Sequence, residues 1–379
     1  MTAPPFCPNR DCELHDAAPP EPSARRWYHV AGYYPTKAFG KVRRFRCLSC
    51  NCTFSEQTFR LDYHIKHPID YQTLFRRIVG GAGLRTVARE LAVSHQLIAN
   101  RLSRLARQAL GMQAELLAGH RLSEDLAADG FESFVASQYE PNNIHLLVGS
   151  RSQFLYEFDY AHLKRKGRMS ERQRIERERR EGQLIRPRRS ITTSFSWLLT
   201  TMERLIGQGC EETTRLFTDE KSEYGKAIES STLLSALIEQ GRFCHERISS
   251  HRARTLHNRL FPVNYFDREL RKDNANHVRE TVQFSRNANS CLERLAVYQL
   301  WHNYLKPFRI DDGEGAMLRH AQVAGIERKR IEEGLGGIFE RRRFFSCLWL
   351  SWSQQLVWFR MVGNAGRRTG GFWPTYVWM

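Results

Sequence analysis

Two aspartates each close an apolar, strand-like run: Asp129 in Leu126-Ala127-Ala128-Asp129-Gly130-Phe131-Glu132 and Asp219 in Leu216-Phe217-Thr218-Asp219-Glu220. If the two runs are neighbouring strands, both carboxylates emerge at one sheet edge and can bridge a divalent ion. Hard oxygen ligands select Mg2+ or Mn2+ over zinc. A third acid is needed to hold a second ion. The expectation is Glu280, on a helix beginning near Asn276, with Arg286 farther along it to engage DNA; Glu293 in Cys291-Leu292-Glu293-Arg294-Leu295 is the rival. Two ions held this way drive in-line displacement at phosphorus, activating water or a 3'-hydroxyl and stabilising the leaving oxygen, with no covalent protein nucleophile. The G-x4-G-K-[ST] phosphate loop of ATP-driven machines does not occur.

A second chemistry sits near the start of the chain. Of nine cysteines, Cys7, Cys12, Cys47, Cys50 and Cys52 crowd into the first residues. Cys7-x4-Cys12 and Cys47-x2-Cys50 flank strand-like stretches at Arg26–Ala31 and Lys41–Arg46. Two thiolate knuckles at opposite ends of such a segment are what a zinc ribbon needs, because the metal replaces the core that so small a module lacks. Unrelated reduced cysteines are the alternative. Cys52 is read as a spare; His15 could ligate too, although a lone histidine in a polar loop is more often solvated.

The segment Leu84 to Leu102 has the apolar and small-residue spacing of two helices meeting at a tight turn, with Ala88 at their crossing. Ser94 caps the second helix, whose first turns present His95, Gln96, Asn100 and Arg101 to a major groove; Arg85 and Arg89 flank them. An ordinary helical hairpin is the bland alternative.

Several elements must position these groups. Period-2 runs at Leu126–Phe134, Asn143–Val148 and Gln153–Phe158 read as an antiparallel meander. An amphipathic helix follows around Phe195–Ile206, then a strand at Thr214–Thr218, a helix over Tyr224–Gln240, a strand at Phe243–Ile248 and a later helix. That order is the order of a ribonuclease H-like core. The expected architecture is therefore multidomain: a small zinc ribbon (1–62), an all-α helix-turn-helix unit (63–115), an α/β ribonuclease H-like core with a mixed five-stranded sheet (120–310), and a helical, aromatic tail (311–379). The charged run from Lys164 to Arg189 reads equally as a track for a DNA backbone or as a solvated face of Glu/Arg pairs.

With 58 Lys+Arg against 41 Asp+Glu, the net charge of +17 points to a polyanionic partner, nucleic acid ahead of an acidic membrane. No secretion signal is recognisable at Met1-Thr2-Ala3-Pro4-Pro5, and the aromatic stretch from Phe344 to Phe359 is too short and too interrupted to span a bilayer. The expected compartment is a bacterial-type cytoplasm, associated with the nucleoid.

The two cysteine knuckles, Asp129-Gly130-Phe131-Glu132, Phe217-Thr218-Asp219-Glu220, the stretch from Asp267 to Thr281, and Trp301-His302-Asn303-Tyr304 together resemble insertion-sequence transposases that carry a zinc ribbon, a helix-turn-helix and a DDE catalytic domain. The resemblance covers roughly Cys7 to Ile310. It implies a transposase in which Asp129, Asp219 and Glu280 are the catalytic acids, the head recognises terminal inverted repeats in double-stranded DNA, and a homo-oligomer pairs two ends before attacking target DNA. The interval from Asp219 to Glu280 is longer than in many integrases, and the aromatic tail has no counterpart in the pattern. Two other readings stay open: a non-catalytic DNA-binding regulator with a degenerate core, and a nuclease of the same fold.

Overall fold

A computed structural model describes residues 3–15, 26–183, 191–209, 213–249, 251–278, 281, 283–309, 317–362 and 377. The chain begins with a three-stranded antiparallel sheet of β1 (Tyr28–Thr36), β2 (Gly40–Cys47) and β3 (Thr53–Ser55), in that order. Cys7, Cys12, Trp27, Phe45, Cys47 and Phe54 form its own small core, with Trp27 stacked on Phe54 at 5.8 Å.

Three helices follow: α1 (Tyr71–Val79), α2 (Leu84–Glu90) and α3 (His95–Leu117). Asp70 accepts from the Gln72 N–H at the start of α1, and Ser94 accepts from the Leu97 N–H at the start of α3. Such caps satisfy amide donors that the first helical turn leaves unpaired. The corner between α1 and α2 needs its glycine, since Gly81 has φ +83° and a Cβ there would lie 2.9 Å from the Asp273 carbonyl oxygen. α3 is buried on nearly every side along its C-terminal half, as befits a helix that runs out of one unit and into the interior of the next.

The larger sheet has the order β6-β5-β4-β7-β8, from β4 (Leu126–Phe134), β5 (Pro141–Gly149), β6 (Leu155–His162), β7 (Thr214–Thr218) and β8 (Phe243–Arg247). β4, β5 and β6 pair antiparallel, while β7 pairs parallel to β4 and β8 parallel to β7. The sheet is mixed and five-stranded, as the sequence periodicity predicts. β5 lies between two partners and is buried at all nine positions, which explains its run of Ile144, Leu146, Leu147 and Val148. Helix α4 (Glu171–Gln183) carries most of the charged run and displays the Arg179–Glu176 and Arg180–Glu176 pairs of a solvated face.

Around the sheet lie α5 (Ile191–Gly207), packed on β5 and β6, then α6 (Ser222–Glu229), α7 (Thr232–Glu239), α8 (Phe261–Asp273), packed on β4 and β5, and α9 (Ala288–Tyr304), packed on β6 and along α3. Short helices α10 (His320–Val323), α11 (Arg328–Leu335) and α12 (Trp352–Trp358) follow, the last two against α3. Burying each of Phe131, Phe154, Phe158 and Phe217 contributes about 1.5–3 kcal/mol. One continuous apolar cluster joins the three helices of the head to the sheet, so α3 is shared between them. No helix among the described residues is long and apolar enough to cross a membrane.

Two expectations fail. The helix expected over Tyr224–Gln240 is two helices, because Ser231 caps a new start by accepting from the Leu234 N–H and also donates to Glu203 at 2.5 Å. The helix expected from Asn276 is absent over its described residues: a single 3-10 turn spans Ala275–His277 and Val278 is extended. Tertiary contacts win there. His277 bonds Ser133 of β4 at 2.8 Å, and the Ser285 carbonyl accepts from the Ala136 N–H at 2.7 Å, which draws the segment along the end of β4.

Candidate metal centre and acidic site

The thiols of Cys7, Cys12, Cys47 and Cys50 all lie within 4.8 Å of one another. Sγ–Sγ distances are 3.6 Å for Cys7–Cys50 and 3.9 Å for Cys12–Cys47. Four sulfurs about 2.3 Å from a tetrahedral zinc would stand roughly 3.8 Å apart, and a disulfide would bring them to about 2.05 Å. The spacing is that of a metal site such as zinc. Tight turns at both knuckles set it: the Cys12 N–H donates to the Asn9 carbonyl, and Cys47 N–H to the Cys52 carbonyl. Cys52 stands outside the cluster, its thiol turned to the Thr53 carbonyl. His15 is not solvated as expected. It is 3% exposed, with Nδ1 2.7 Å from the Cys7 carbonyl and Nε2 2.8 Å from the Ser346 hydroxyl, so it ties the knuckle to a distant turn.

Asp129 lies on β4 and Asp219 immediately after β7. Both stand two residues beyond the paired Ala127 and Phe217, so the parallel register sets them at one level on neighbouring strands. The next residue, Gly130, leaves room for the buried Asn143 side chain of β5, since a Cβ there would meet its amide at 2.1 Å. Their carboxylates converge on one ammonium: Lys221 Nζ is 3.4 Å from Asp129 Oδ1 and 3.2 Å from Asp219 Oδ2. The Lys221 N–H also donates to Asp219 Oδ1 at 3.0 Å, fixing the turn that carries the lysine back. Burial pulls the Lys221 pKa down, but the two carboxylates outweigh it and leave the group above the usual lysine value.

A third carboxylate shares this field, and it is not one the sequence singles out. Asp267 of α8 has a buried Oδ1 that accepts no hydrogen bond. Burial and then the Asp129 charge hold its carboxyl well above the usual range, against the pull of Arg271, Arg254 and Lys221. Burial likewise raises Asp129, opposed by Lys221 and reinforced by Asp219. A signal for Asp267 was present: Val263, Phe266, Asp267 and Leu270 share one face of α8 at helical spacing, and an acid inside an apolar stripe is costly unless it has a task.

Glu280 lies outside the described residues. Glu293, the rival, is 2% exposed on α9 and engaged elsewhere, 3.1 Å from the Arg360 guanidinium. Burial raises its pKa, while Arg360, Ser103 and Arg107 oppose the rise. Among the described residues the four cysteines are the only group of three or more potential ligands within 4.8 Å, so the three aspartates stand more widely spaced than bound ligands. All three offer only carboxylate oxygens, the donor type a hard divalent cation takes, and burial raises the carboxyls of Asp129 and Asp267.

On the helical head, Arg85, Arg89, Ser94, His95, Gln96 and Asn100 are exposed, with the Gln96 amide donating to Asn100 at 3.1 Å. Arg101 is not part of that surface. It is 7% exposed and donates to the His67 carbonyl at 3.0 Å, so it braces the connection into the head. Arg286 is exposed, on the bend before α9 instead of on a helix. Arg271, over the Phe131 ring at 4.5 Å, and Arg259, over Phe217 at 5.4 Å, add cations to the packing around the strands that bear the two aspartates. The chain matches no protein-family model, and no curated protein was found to be similar in sequence.

Proposed function

We propose that this chain is a DNA transposase, cutting and joining strands by metal-dependent phosphoryl transfer, with a zinc-ribbon and helix-turn-helix head that binds element ends. The observation that carries this reading is the convergence of Asp129, within β4, and Asp219, just past the end of β7, 90 residues apart in the chain but at one level on adjacent parallel strands. The strand order, three antiparallel and two parallel, supports a ribonuclease H-like core. In that core, Asp129, Asp219 and Asp267 are the residues that would hold Mg2+ or Mn2+. Such ions, when bound, activate the attacking hydroxyl and neutralise charge on the leaving oxygen.

The protein's own share is placement. The parallel pairing of β4 and β7 fixes the two aspartates relative to one another. Lys221 holds both carboxylates apart from one another's charge until they are used, and can then contact phosphate. Exposed side chains at the start of α3 reach base edges, and scattered arginines set register on the phosphates. The active form is a homo-oligomer that pairs two ends.

The test is cleavage of supercoiled plasmid carrying the DNA that flanks the gene, with Mn2+ or Mg2+. Asp129→Asn and Asp219→Asn are expected to abolish cleavage, by at least about a hundredfold, while retaining duplex binding. Retention of cleavage by both variants sinks the catalytic reading; cleavage with no strand joining by the wild type leaves a nuclease. Asp267→Asn, Glu280→Gln and Glu293→Gln in the same assay identify the third acid, and Asp267 is the expected one.

A further inference from the structure

A cleft of about 1070 Å³ opens between the β1–β2 hairpin and the turn that leads into the helical head, far in the chain from the acidic site. Its volume is that of pockets that take a small organic molecule. Its composition is one-sided: no aspartate or glutamate lines it, whereas Lys37, Arg44 and Lys66 do, together with the rings of Tyr34, Phe39 and Tyr63. Lys37, Arg44 and Lys66 are exposed. Arg44 lies over the Tyr34 ring at 5.9 Å, so cation and ring are presented together.

The lip of the cleft is strained. His64 has φ +58°, a left-handed conformation that costs a residue with a Cβ about 1–2 kcal/mol. That backbone carries the exposed imidazole to the cleft, 4.2 Å from the Tyr63 ring, where a glycine would have been easier. Strain kept at a surface turn points to a task for the side chain it places.

We infer that this cleft binds unpaired, single-stranded DNA, one or two bases entering among the rings while the lysines follow the backbone. Aromatic faces beside a cationic track are what single strands use, because every base has a face to stack and every linkage a charge to neutralise. A duplex does not need such a pocket: its bases are stacked inside, and it is read through groove edges and outer phosphates, for which the exposed start of α3 suffices. The inference rests on the nucleic-acid reading above and adds a second, strand-specific site to it.

The experiment uses the zinc-loaded 379-residue chain and two fluorescent probes, a twelve-nucleotide oligothymidylate and a duplex of flanking DNA. Two variants are chosen to keep the fold. Lys37→Ala/Lys66→Ala changes only exposed side chains, and His64→Gly removes the ring while relieving the backbone. Both are expected to weaken oligothymidylate binding about tenfold or more, the size of one lost stack or two lost phosphate contacts. Duplex binding should change less than about threefold. Unchanged oligothymidylate binding in both variants overturns the inference and leaves the duplex reading standing. Equal weakening of both probes also overturns it, since the cleft is then ordinary charged surface. Binding of neither probe by the wild type overturns the nucleic-acid reading itself.

Discussion

An ammonium held 3.2 and 3.4 Å from two carboxylates competes for the negative charge that a divalent cation also needs. Removing Lys221 therefore favours the ion. Even at the screened end of the range, a unit charge about 4 Å away is worth on the order of 1 kcal/mol or more. Lys221→Met is expected to tighten Mn2+ binding about tenfold, read by calorimetry, and to depress strand cleavage if the lysine also meets phosphate. Asp219→Asn should do the opposite and weaken Mn2+. Equal Mn2+ affinity in wild type and Lys221→Met means that the ion does not sit between these carboxylates. At this scale the sequence was legible for Asp129 and Asp219, because each ends an apolar run. Lys221 and Asp267 were not singled out, since a lone lysine in a polar turn looks solvated and Asp267 is one acid in the charged stretch Asp267-Arg268-Glu269. Only the face of α8 it shares with Val263 and Phe266 sets it apart.

Elements were legible where local pattern and tertiary packing agree. The β4 and β7 strands fall where alternation places them, and Ser94 caps α3 as its position before an apolar run implies. Agreement breaks where side-chain bonds outrank periodicity, as at Ser231, and at Asn276–His277, where the Ser133 contact holds a 3-10 turn against a helical pattern. The interface of β6 and α5 carries a polar pair of the same hidden kind. Glu157 is fully buried, takes a hydrogen bond from the Thr201 hydroxyl at 2.9 Å and one from the Phe158 N–H, and has its pKa pushed up to about 7 by burial, against those bonds and one from Ser351. Because the folded pKa exceeds the unfolded one, this group contributes no penalty below pH of about 4.5 and an increasing one up to about pH 7, above which the penalty is complete. Its full size is on the order of 3 kcal/mol. Glu157→Gln is thus expected to raise the thermal midpoint by a few degrees at pH 8 and by almost nothing at about pH 4. An equal shift at both values would exclude an ionised Glu157 as the cause. Gly81→Ala tests the corner between α1 and α2: a positive φ and a 2.9 Å approach to the Asp273 carbonyl predict a loss of about 2 kcal/mol or more, read by chemical denaturation.

At the scale of the molecule, two cores of very different size are joined. The larger runs continuously from Leu61 through the sheet, whereas the separate cluster within the N-terminal three-stranded unit holds six buried apolar residues, three of them from the four-cysteine group. A core that small does not hold three strands without its cross-link. The ribbon is nonetheless fastened to the far end of the chain: Phe6 meets Phe344 at 4.9 Å, His15 meets Ser346, the Leu61 N–H donates to the Glu340 carbonyl and Arg342 N–H to the Phe59 carbonyl. These contacts set what loss of metal does. Chelation, or Cys12→Ser, is expected to release one zinc and to leave the amides of β1, β2 and β3 fully exchanging with deuterium within seconds. Amides of β4, β5 and β7 should keep their protection, because these strands are held chiefly by one another, by β6 and β8, and by α5 and α8. The 340–347 turn should loosen with the ribbon, since four of its anchors lie there. Duplex binding through α3 should survive in weakened form, and oligothymidylate binding should vanish, since one wall of its cleft is the β1–β2 hairpin. If β1–β3 stay protected without metal, the aromatic contacts of Trp27, Phe45 and Phe54 suffice to fold the module and zinc is bound by a ribbon already formed.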